Sequence, residues 1–522
     1  MSSKKVNKTE NDSKLKLIDY KIFLPALFII IAISIPFAIN EEGSLEVLNA
    51  VFDSIVGAFS WGYLWYGAIL VVAGLYLSFS KYGNVVLGDP TEKPRFTLFE
   101  YASILVAMGV GSTLMRTGML EWSSVAIDPP LGVDPQSTEA ILWGNAYSMF
   151  MWSFQVFAIF VMIAPAMGYI LHVRKRPLMR ISEACRSIFG DRFTDGFGGM
   201  ILDIIFLISI LAGAAVTLGL GAPIVTYNLS ALLDIEVTFG LTLIVTIIWV
   251  LLFSISAYVG IEKGIKRLSK FNMYLAGAFA LFIMFAGPGI FILDYFTESV
   301  AFLLSNYLQI SFMTESLAGG DVSHIQSNTV FWFAYSATWA MLHSVFVAKI
   351  SRGRTIKEMI LTYFLAPTLI SWAATGVLGG LGVYKYLTGE VAVLDIVQNG
   401  DEMAAIPAIL SSLPLPEVAL IIFMVVALIF LTTTLDSTTY TIAAYTSTED
   451  MSKTEPSKFL RIVVAAIITA VALILMRVGG LAPLEVISGL MGLPVIIIQF
   501  LLIYAAIKMM NQDRAWVYNV RK

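Results

Sequence analysis

Residues 329–350 of the chain read TVFWFAYSATWAMLHSVFVAKI. A hydrocarbon core about 30 Å thick is crossed by about 20 residues of helix, and this run is long enough and apolar enough to do so. Its only lysine, Lys349, stands one residue from its end. The stretch therefore predicts a membrane-spanning α-helix.

The composition of the whole chain agrees with a membrane protein. Of the 522 residues, 58% are hydrophobic and 13% are charged, with a mean hydropathy of +0.81, whereas soluble domains carry about 25% charged residues. The net charge of −4 gives no sign of a nucleic-acid partner. A single cysteine, Cys185, excludes a disulfide framework, and three widely separated histidines (His172, His324 and His343) show no metal-ligand spacing. We expect no cofactor and no resident metal.

Similar apolar runs recur along the chain and predict an all-α integral membrane fold with twelve spans. The runs are 22–39, 55–80, 98–120, 141–173, 198–221, 237–259, 271–293, 329–350, 357–383, 416–447, 459–476 and 486–507. Basic residues are retained on the cytoplasmic side of a membrane. All but three of the 33 lysines and arginines fall in the two termini and in alternate loops; the exceptions are Arg116, Lys385 and Arg477. This alternation predicts that both termini are cytoplasmic.

The third span contains a glycine stretch, which reads MGVGST over residues 108–113. Each glycine weakens a helix by about 1 kcal/mol, and in carriers such glycines let the backbone unwind toward a substrate or an ion. We expect the backbone of Gly109, Val110 and Gly111 to face a binding site. Close packing of helices through small residues is the alternative.

The eighth span carries an aromatic stripe. Trp332, Tyr335, Trp339 and His343 follow one another at intervals of three, four and four residues, so they share one helical face. Aromatic faces attract a quaternary ammonium, because the ring quadrupole binds a cation that donates no hydrogen bonds. The alternative is a stripe of ordinary core or lipid-belt aromatic residues.

The segment after this span, ISRGRTI at 350–356, resembles the signature at that position in the betaine/choline/carnitine transporter family. Other stretches resemble the family in the same order, over the chain from about Lys16 to Lys508. They are KYGN at 81–84 with LG at 87–88, MGVG at 108–111, GIEKGIK at 260–266 and DS at 436–437. DPPLG at 128–132 and GAPIVT at 221–226 are most similar to the carnitine exchangers.

The resemblance implies the LeuT-like fold of sodium-coupled amino-acid carriers. Two inverted five-helix repeats would occupy 98–293 and 329–507, joined by an outside loop at 294–328. Two extra helices with their loop would precede them at 19–97, between cytoplasmic tails at 1–18 and 508–522. The resemblance also implies a homotrimer in the lipid bilayer of a prokaryotic cytoplasmic (inner) membrane. No reaction would be catalysed.

The resemblance further implies an aromatic box between the fourth and eighth spans. The matching residues are Trp152, Phe157 and Phe160 on one side and Tyr335, Ser336 and Trp339 on the other. The family favours tryptophan where this chain has Phe157, Tyr335 and Ser336. Since phenyl and phenol rings bind cations less well than indole, the substitutions weaken the box.

Arg116 is a second departure, because the family has an aromatic or apolar residue there. A guanidinium beside the unwound backbone could bind a carboxylate or a sulfonate. It could instead form an internal ion pair with Glu121 or Asp203, since an unpaired buried charge is too costly.

Two sets of residues bear on ion coupling. Phe430, Thr433 and Thr434 match the sodium ligands of sodium-dependent members, opposite the carbonyls near Ala107 and Val110. Lys266 matches an arginine that replaces sodium in the carnitine exchangers. His343 could titrate, or it could stay neutral and hydrogen-bonded.

We therefore expect a secondary transporter of a small zwitterion such as a betaine or carnitine, working by sodium-independent exchange or linked to protons. Sodium symport and transport of a sulfonate or carboxylate such as taurine are alternatives. A non-transporting sensor and an ion channel fit less well, because no signalling domain and no filter sequence are visible.

Overall fold

The computed structural model describes residues 18–111, 113–259, 264–317, 322–451, 453–478 and 482–521. These residues are predominantly helical. The first helices in chain order are α1 (Tyr20–Ile39), α2 (Glu41–Phe79), α3 (Leu98–Gly109), α4 (Thr113–Ile127), α5 (Thr138–Met151), α6 (Phe154–Val161), α7 (Ala164–Gly168, continued by a π-helix at Tyr169–Val173), α8 (Ile181–Phe189), α9 (Asp191–Thr194) and α10 (Phe197–Leu233).

The remaining helices complete the bundle. They are α11 (Phe239–Val259), α12 (Ile265–Ala286), α13 (Gly289–Ser311), α14 (His324–Ile350), α15 (Ile356–Leu387), α16 (Val393–Gln398), α17 (Glu402–Ser411), α18 (Pro416–Thr446), α19 (Lys458–Val478), α20 (Ala482–Gln512) and α21 (Ala515–Tyr518). The predicted tail at 1–18 lies outside the described residues except for Ile18.

Nine helices of the described residues are long and apolar enough to cross a membrane, and ten if α3 and α4 form one broken span. The prediction of twelve spans is therefore not confirmed. The two predicted spans outside this set, 22–39 and 459–476, do fall on helices, which are α1 and α19. Within α1, the segment Tyr20–Ala32 is a shorter apolar stretch.

The predicted seventh span and outside loop have the wrong bounds. Helix α12 ends at Ala286, and α13 begins at Gly289, so that α13 fills much of the segment predicted as a loop at 294–328. The reason lies in the Gly-Pro-Gly sequence at 287–289. Gly287 adopts an extended conformation, and the ring of Pro288 cannot continue a helix.

The predicted fourth span is broken. Trp152 and Ser153 leave the helical conformation between α5 and α6. Two indole N–H groups bind carbonyls beside the break: Trp332 donates to Met151 O at 2.9 Å, and Trp372 donates at 3.0 Å to Met149 O, which also accepts from Trp152 N and Ser153 Oγ. Inside a membrane a freed carbonyl needs such a partner.

Helix α14 is the centre of the bundle, and most of its side chains are buried. It packs against α20, α6, α7, α2 and α10. A helix that is covered on all sides needs no polar face. The polar side chains that α14 carries are therefore directed at neighbouring helices.

The ISRGRTI segment ties together one end of the bundle. Leu87 N donates to Arg354 O at 2.8 Å, and Gly353 N donates to Leu87 O at 2.7 Å. The guanidinium of Arg354 donates to Phe96 O and lies 4.1 Å from the ring centre of Tyr101, at the start of α3. The motif thus fixes the beginning of the broken span.

The described part of the segment 508–522, which is predicted as a cytoplasmic tail, packs on the helical bundle. Helix α20 continues to Gln512, and Val86 N donates to Asn519 O at 2.9 Å. Arg521 binds Glu358 in the first turn of α15. The last described residues therefore pack on the loops before α3 and α15.

Candidate functional site

The site begins at the break between α3 and α4, where the two helices are bent by 59°. Gly111 has φ +57°, a left-handed conformation that glycine adopts without a steric penalty. A Cβ atom there would lie 3.2 Å from Thr434 Oγ1. The break thus occurs in the glycine stretch that predicted it; Ser112 lies outside the described residues.

The aromatic stripe of α14 faces this break and the broken fourth span. The ring centres of Trp152 and Trp332 are 5.2 Å apart, edge to face. Phe160 stacks on His343 with ring centres 4.2 Å apart. Tyr335 and Trp339 lie between these two pairs on the same helix.

Together these elements enclose a cavity of about 40 Å³. Most of the predicted binding residues line it. The lining consists of Met108, Gly109, Val110, Gly111, Thr113, Trp152, Phe160, Thr217, Trp332, Tyr335, Ser336, Trp339, His343 and Thr434. No Asp, Glu, Lys or Arg is among the described residues that line this cavity, so its walls offer ring faces, hydroxyls and backbone.

Phe157 stands behind the lining. It is fully buried, and its ring centre lies 6.1 Å from that of Phe160 and 6.0 Å from that of Tyr363. Tyr363 in turn bonds His343 Nδ1 through its hydroxyl group. Phe157 therefore supports the wall through Phe160 and does not line the cavity.

Arg116 does not line the cavity either. Its Nη1 lies 2.5 and 2.6 Å from the two carboxylate oxygens of Glu402, the first residue of α17. Both partners are about a quarter exposed. The two predicted internal partners are wrong, because each is engaged elsewhere.

The carboxylate of Glu121 lies 2.9 Å from His324 Nε2 and accepts a hydrogen bond from Asn328, both in the first turns of α14. Asp203 accepts hydrogen bonds from Ser182 and Tyr445. These two buried carboxylates thus join helices to each other and leave Glu402 as the partner of Arg116.

The predicted placement of Lys266 beside the ion-site residues is also wrong. Lys266 Nζ lies 3.0 Å from Glu100 Oε1, in the first turn of α3. Ala107 stands seven residues further on, which is about 10 Å along a helix. Lys266 therefore pairs with the start of the span and does not occupy the place of an ion near the break.

Of the other predicted ion-site residues, Thr434 meets the break. Its Oγ1 lies 3.3 Å from Ala107 O and 3.0 Å from Phe430 O. Thr433 is fully buried beside it and donates to the carbonyls of Ile429 and Phe430 in its own helix. The two hydroxyls therefore share the Phe430 carbonyl, and that of Thr434 also reaches a carbonyl of α3.

Several lining residues were not in the predicted binding set. Trp332 belongs to the predicted stripe but was not assigned to the box. Thr113 and Thr217 carried no signal that distinguishes them from other threonines in apolar runs. Tyr363, which orients His343, comes from α15 and could be found only from the packing of that helix.

A second, larger cleft of about 210 Å³ lies between α4, α12, α15 and α18, next to Phe430. Leucine, isoleucine, alanine, methionine, valine, glycine and phenylalanine are the residues that line it. Such a surface suits an acyl chain and offers nothing to a charged solute. The smaller cavity is therefore the candidate binding site.

The sequence model of the BCCT family, described as betaine/carnitine/choline family transporters, matches residues 21–515. The chain belongs to this family. It is a secondary transporter of the betaine, carnitine and choline type and not an enzyme. The predicted likeness to the carnitine exchangers in particular stays a prediction.

Among solved structures, a Na⁺-coupled sialic acid symporter in a substrate-bound outward-open state is similar to the transporter. The two chains share 15% identical residues over 85% of this chain and 86% of the other, with a TM-score of 0.47. Sialic acid and sodium are properties of that symporter.

The Arg116–Glu402 pair can be tested without a substrate. We expect Arg116→Ala and Glu402→Ala to lower the melting temperature of the purified transporter by similar amounts, because each leaves the other charge unpaired. The double variant should be no less stable than the worse single variant. The coupling should be about 1 kcal/mol, as for a partly exposed ion pair.

Glu121→Gln is the matched control, since Glu121 binds His324 and Asn328. Arg116 acts on Glu121 through its charge, so the coupling between Arg116→Ala and Glu121→Gln should be clearly smaller than that between Arg116→Ala and Glu402→Ala. Additive losses for Arg116 and Glu402, together with a larger coupling between Arg116 and Glu121, would contradict the pairing seen in the structure.

Proposed function

We propose that the transporter moves a small zwitterion with a quaternary ammonium group, such as a betaine or a carnitine, by alternating access. The observation that carries the proposal is the lining of the cavity. Trp152, Trp332, Trp339, Tyr335 and Phe160 present ring faces where no acidic side chain of the described residues stands. Ring faces suit a cation that cannot donate hydrogen bonds.

The position of the cavity bears on how the substrate crosses the membrane. Its lining includes residues at two helix breaks, the one between α3 and α4 and the one at Trp152 between α5 and α6. Interrupted helices of this kind are where such carriers bind substrate. Separate opening of the site toward each side of the membrane is what alternating access requires.

The proposal includes the architecture that the family resemblance implies. We infer twelve spans in two inverted repeats, a homotrimer, and a prokaryotic cytoplasmic membrane with both termini inside. The alternation of basic loops supports this orientation. The broken span α3–α4 supports the repeat arrangement, because transporters of this kind bind substrate at interrupted helices.

We propose sodium as the coupling ion, in place of the sodium-independent exchange expected from Lys266. That expectation rested on the match of Lys266 to an arginine that replaces sodium in the carnitine exchangers, and Lys266 instead binds Glu100. The hydroxyls of Thr433 and Thr434 and the carbonyl of Ala107 are hard oxygen ligands of the kind that bind such a cation. Transport of a sulfonate or carboxylate zwitterion such as taurine gains no support from Arg116, whose guanidinium binds Glu402.

The aromatic site is tested by Trp339→Ala in the purified transporter. We expect glycine betaine to bind about tenfold more weakly or worse, since a desolvated cation–π contact contributes about 2 kcal/mol. Isothermal titration calorimetry measures the change. Trp61→Ala, at a side chain that is 58% exposed, is the control and should bind as the wild type does. Equal affinities of Trp339→Ala and wild type would rule out the site.

The coupling ion is tested by uptake of labelled glycine betaine into proteoliposomes. Uptake should require an inward sodium gradient, and Thr434→Ala should raise the sodium concentration for half-maximal uptake by about tenfold. Thr441→Ala, two turns further along α18 and bonded to Ser437 O, should leave that concentration unchanged. Full uptake by the wild type in sodium-free buffer would show that the coupling proposal is wrong and would favour exchange.

A further inference from the structure

Ser336 has a buried hydroxyl group without a hydrogen-bond partner in the described part of the chain. Other buried hydroxyls of α14 are satisfied, either by carbonyls one turn back or, for Ser344, by Phe160 O on another helix. Thr329 donates to Ile325 O at 2.6 Å, and Thr338 donates to Tyr335 O at 2.6 Å. Ser336 is only 1% exposed, so bulk water does not replace the missing bond.

The indole N–H group of Trp339 also lacks a hydrogen-bond partner in the described part of the chain. The tryptophans around the cavity use their indole N–H groups: Trp152 donates to Thr117 Oγ1 at 2.8 Å and Trp332 donates to Met151 O at 2.9 Å. The Nε1 of Trp339 has no partner among the described residues, although the side chain is 92% buried, with 8% exposure.

The two unpartnered donors belong to one place. Ser336 and Trp339 are three residues apart on the same face of α14, and both line the cavity. A buried donor without an acceptor is costly to the protein. Two such donors at one cavity indicate that an acceptor on the ligand completes them.

Among the described residues, no basic side chain that could bind the ligand's acidic group lines this cavity. Neither Lys nor Arg is among the described residues that line it. Arg116, the guanidinium closest in sequence to the break, forms its ion pair with Glu402. The acidic group of a zwitterion bound here must therefore be held by neutral donors.

We infer that Ser336 Oγ–H and Trp339 Nε1–H form the subsite for the carboxylate of the substrate, and that this pair selects carboxylate-bearing zwitterions over quaternary ammonium alcohols. The inference rests on the proposed function and deepens it. A carboxylate has two oxygens and can accept from both donors at once. An alcohol has a single oxygen and no charge, so it gains less from the pair.

The test compares two ligands that share a trimethylammonium group and differ at the other end, glycine betaine and choline. Ser336→Ala removes the hydroxyl, and Trp339→Phe removes the indole N–H while keeping an aromatic ring. Each variant should weaken glycine betaine by about tenfold and choline by less than about threefold. Calorimetric titration with both ligands measures the affinity of each variant relative to the wild type, which gives one ratio for each variant and each ligand.

Thr338→Val is the matched control. Thr338 adjoins the pair in sequence but donates to Tyr335 O and is not among the residues that line the cavity. It should leave the ratio of the two affinities unchanged. If this control weakens glycine betaine binding as much as Ser336→Ala does, the inference is overturned. The loss of affinity would then come from a general disturbance of α14 and not from the missing donor.

The remaining outcomes separate this inference from the proposed function. If wild type binds both ligands and the two variants weaken them equally, the carboxylate subsite is wrong and the proposed function stands. If wild type binds neither glycine betaine nor choline, the proposed function is wrong, and the subsite that rests on it is overturned too.

Discussion

The structure depends on one constraint, which is that a broken helix within a membrane must find partners for its freed backbone groups. Water is absent there, and each unsatisfied group costs several kcal/mol. At the break between α3 and α4, Thr434 approaches the carbonyl of Ala107 to 3.3 Å. Gly111 leaves room for the Thr434 side chain, because a Cβ atom at this position would lie 3.2 Å from the Thr434 hydroxyl oxygen. One helix of the second half of the chain therefore stabilises the irregular backbone of the first half.

The second break follows the same rule with a different donor. At Trp152 the carbonyls of Met149 and Met151 are bound by the indoles of Trp372 and Trp332. The aromatic residues thus have two roles, since they satisfy the backbone of the fourth span and present ring faces to the cavity. This dual role explains why unpartnered donors are informative here. Of the buried side-chain groups that lack a hydrogen-bond partner in the described part of the chain, those of Ser336 and Trp339 belong to residues that line the cavity, and they point to what it accepts.

The parts of the site that could be predicted are those with a local sequence signal. The glycines at 109 and 111 predicted the break, and the intervals of three and four residues placed Trp332, Tyr335, Trp339 and His343 on one face. The Gly-Pro-Gly sequence at 287–289 also held a signal for the end of α12. The apolar residues on both sides of it hide that signal, because the run at 271–293 extends past Ala286.

The parts that could not be predicted depend on distant partners. Arg116 and Glu402 are separated by 286 positions in the chain, and nothing around either residue identifies the other. Lys266 was placed by resemblance, yet Glu100 offered it a carboxylate on a neighbouring helix. The break at Trp152 has no glycine or proline beside it. The partners that stabilise it are tertiary, since the indoles of two other helices donate to the carbonyls of Met149 and Met151.

The most direct measurement is a cryo-electron microscopy structure of the transporter with glycine betaine bound. We expect density for the trimethylammonium group among the rings of Trp152, Trp332, Trp339 and Phe160, beside the break at Gly111. Ligand density in the apolar cleft between α4 and α12, or on Arg116 with its bond to Glu402 broken, would contradict this expectation.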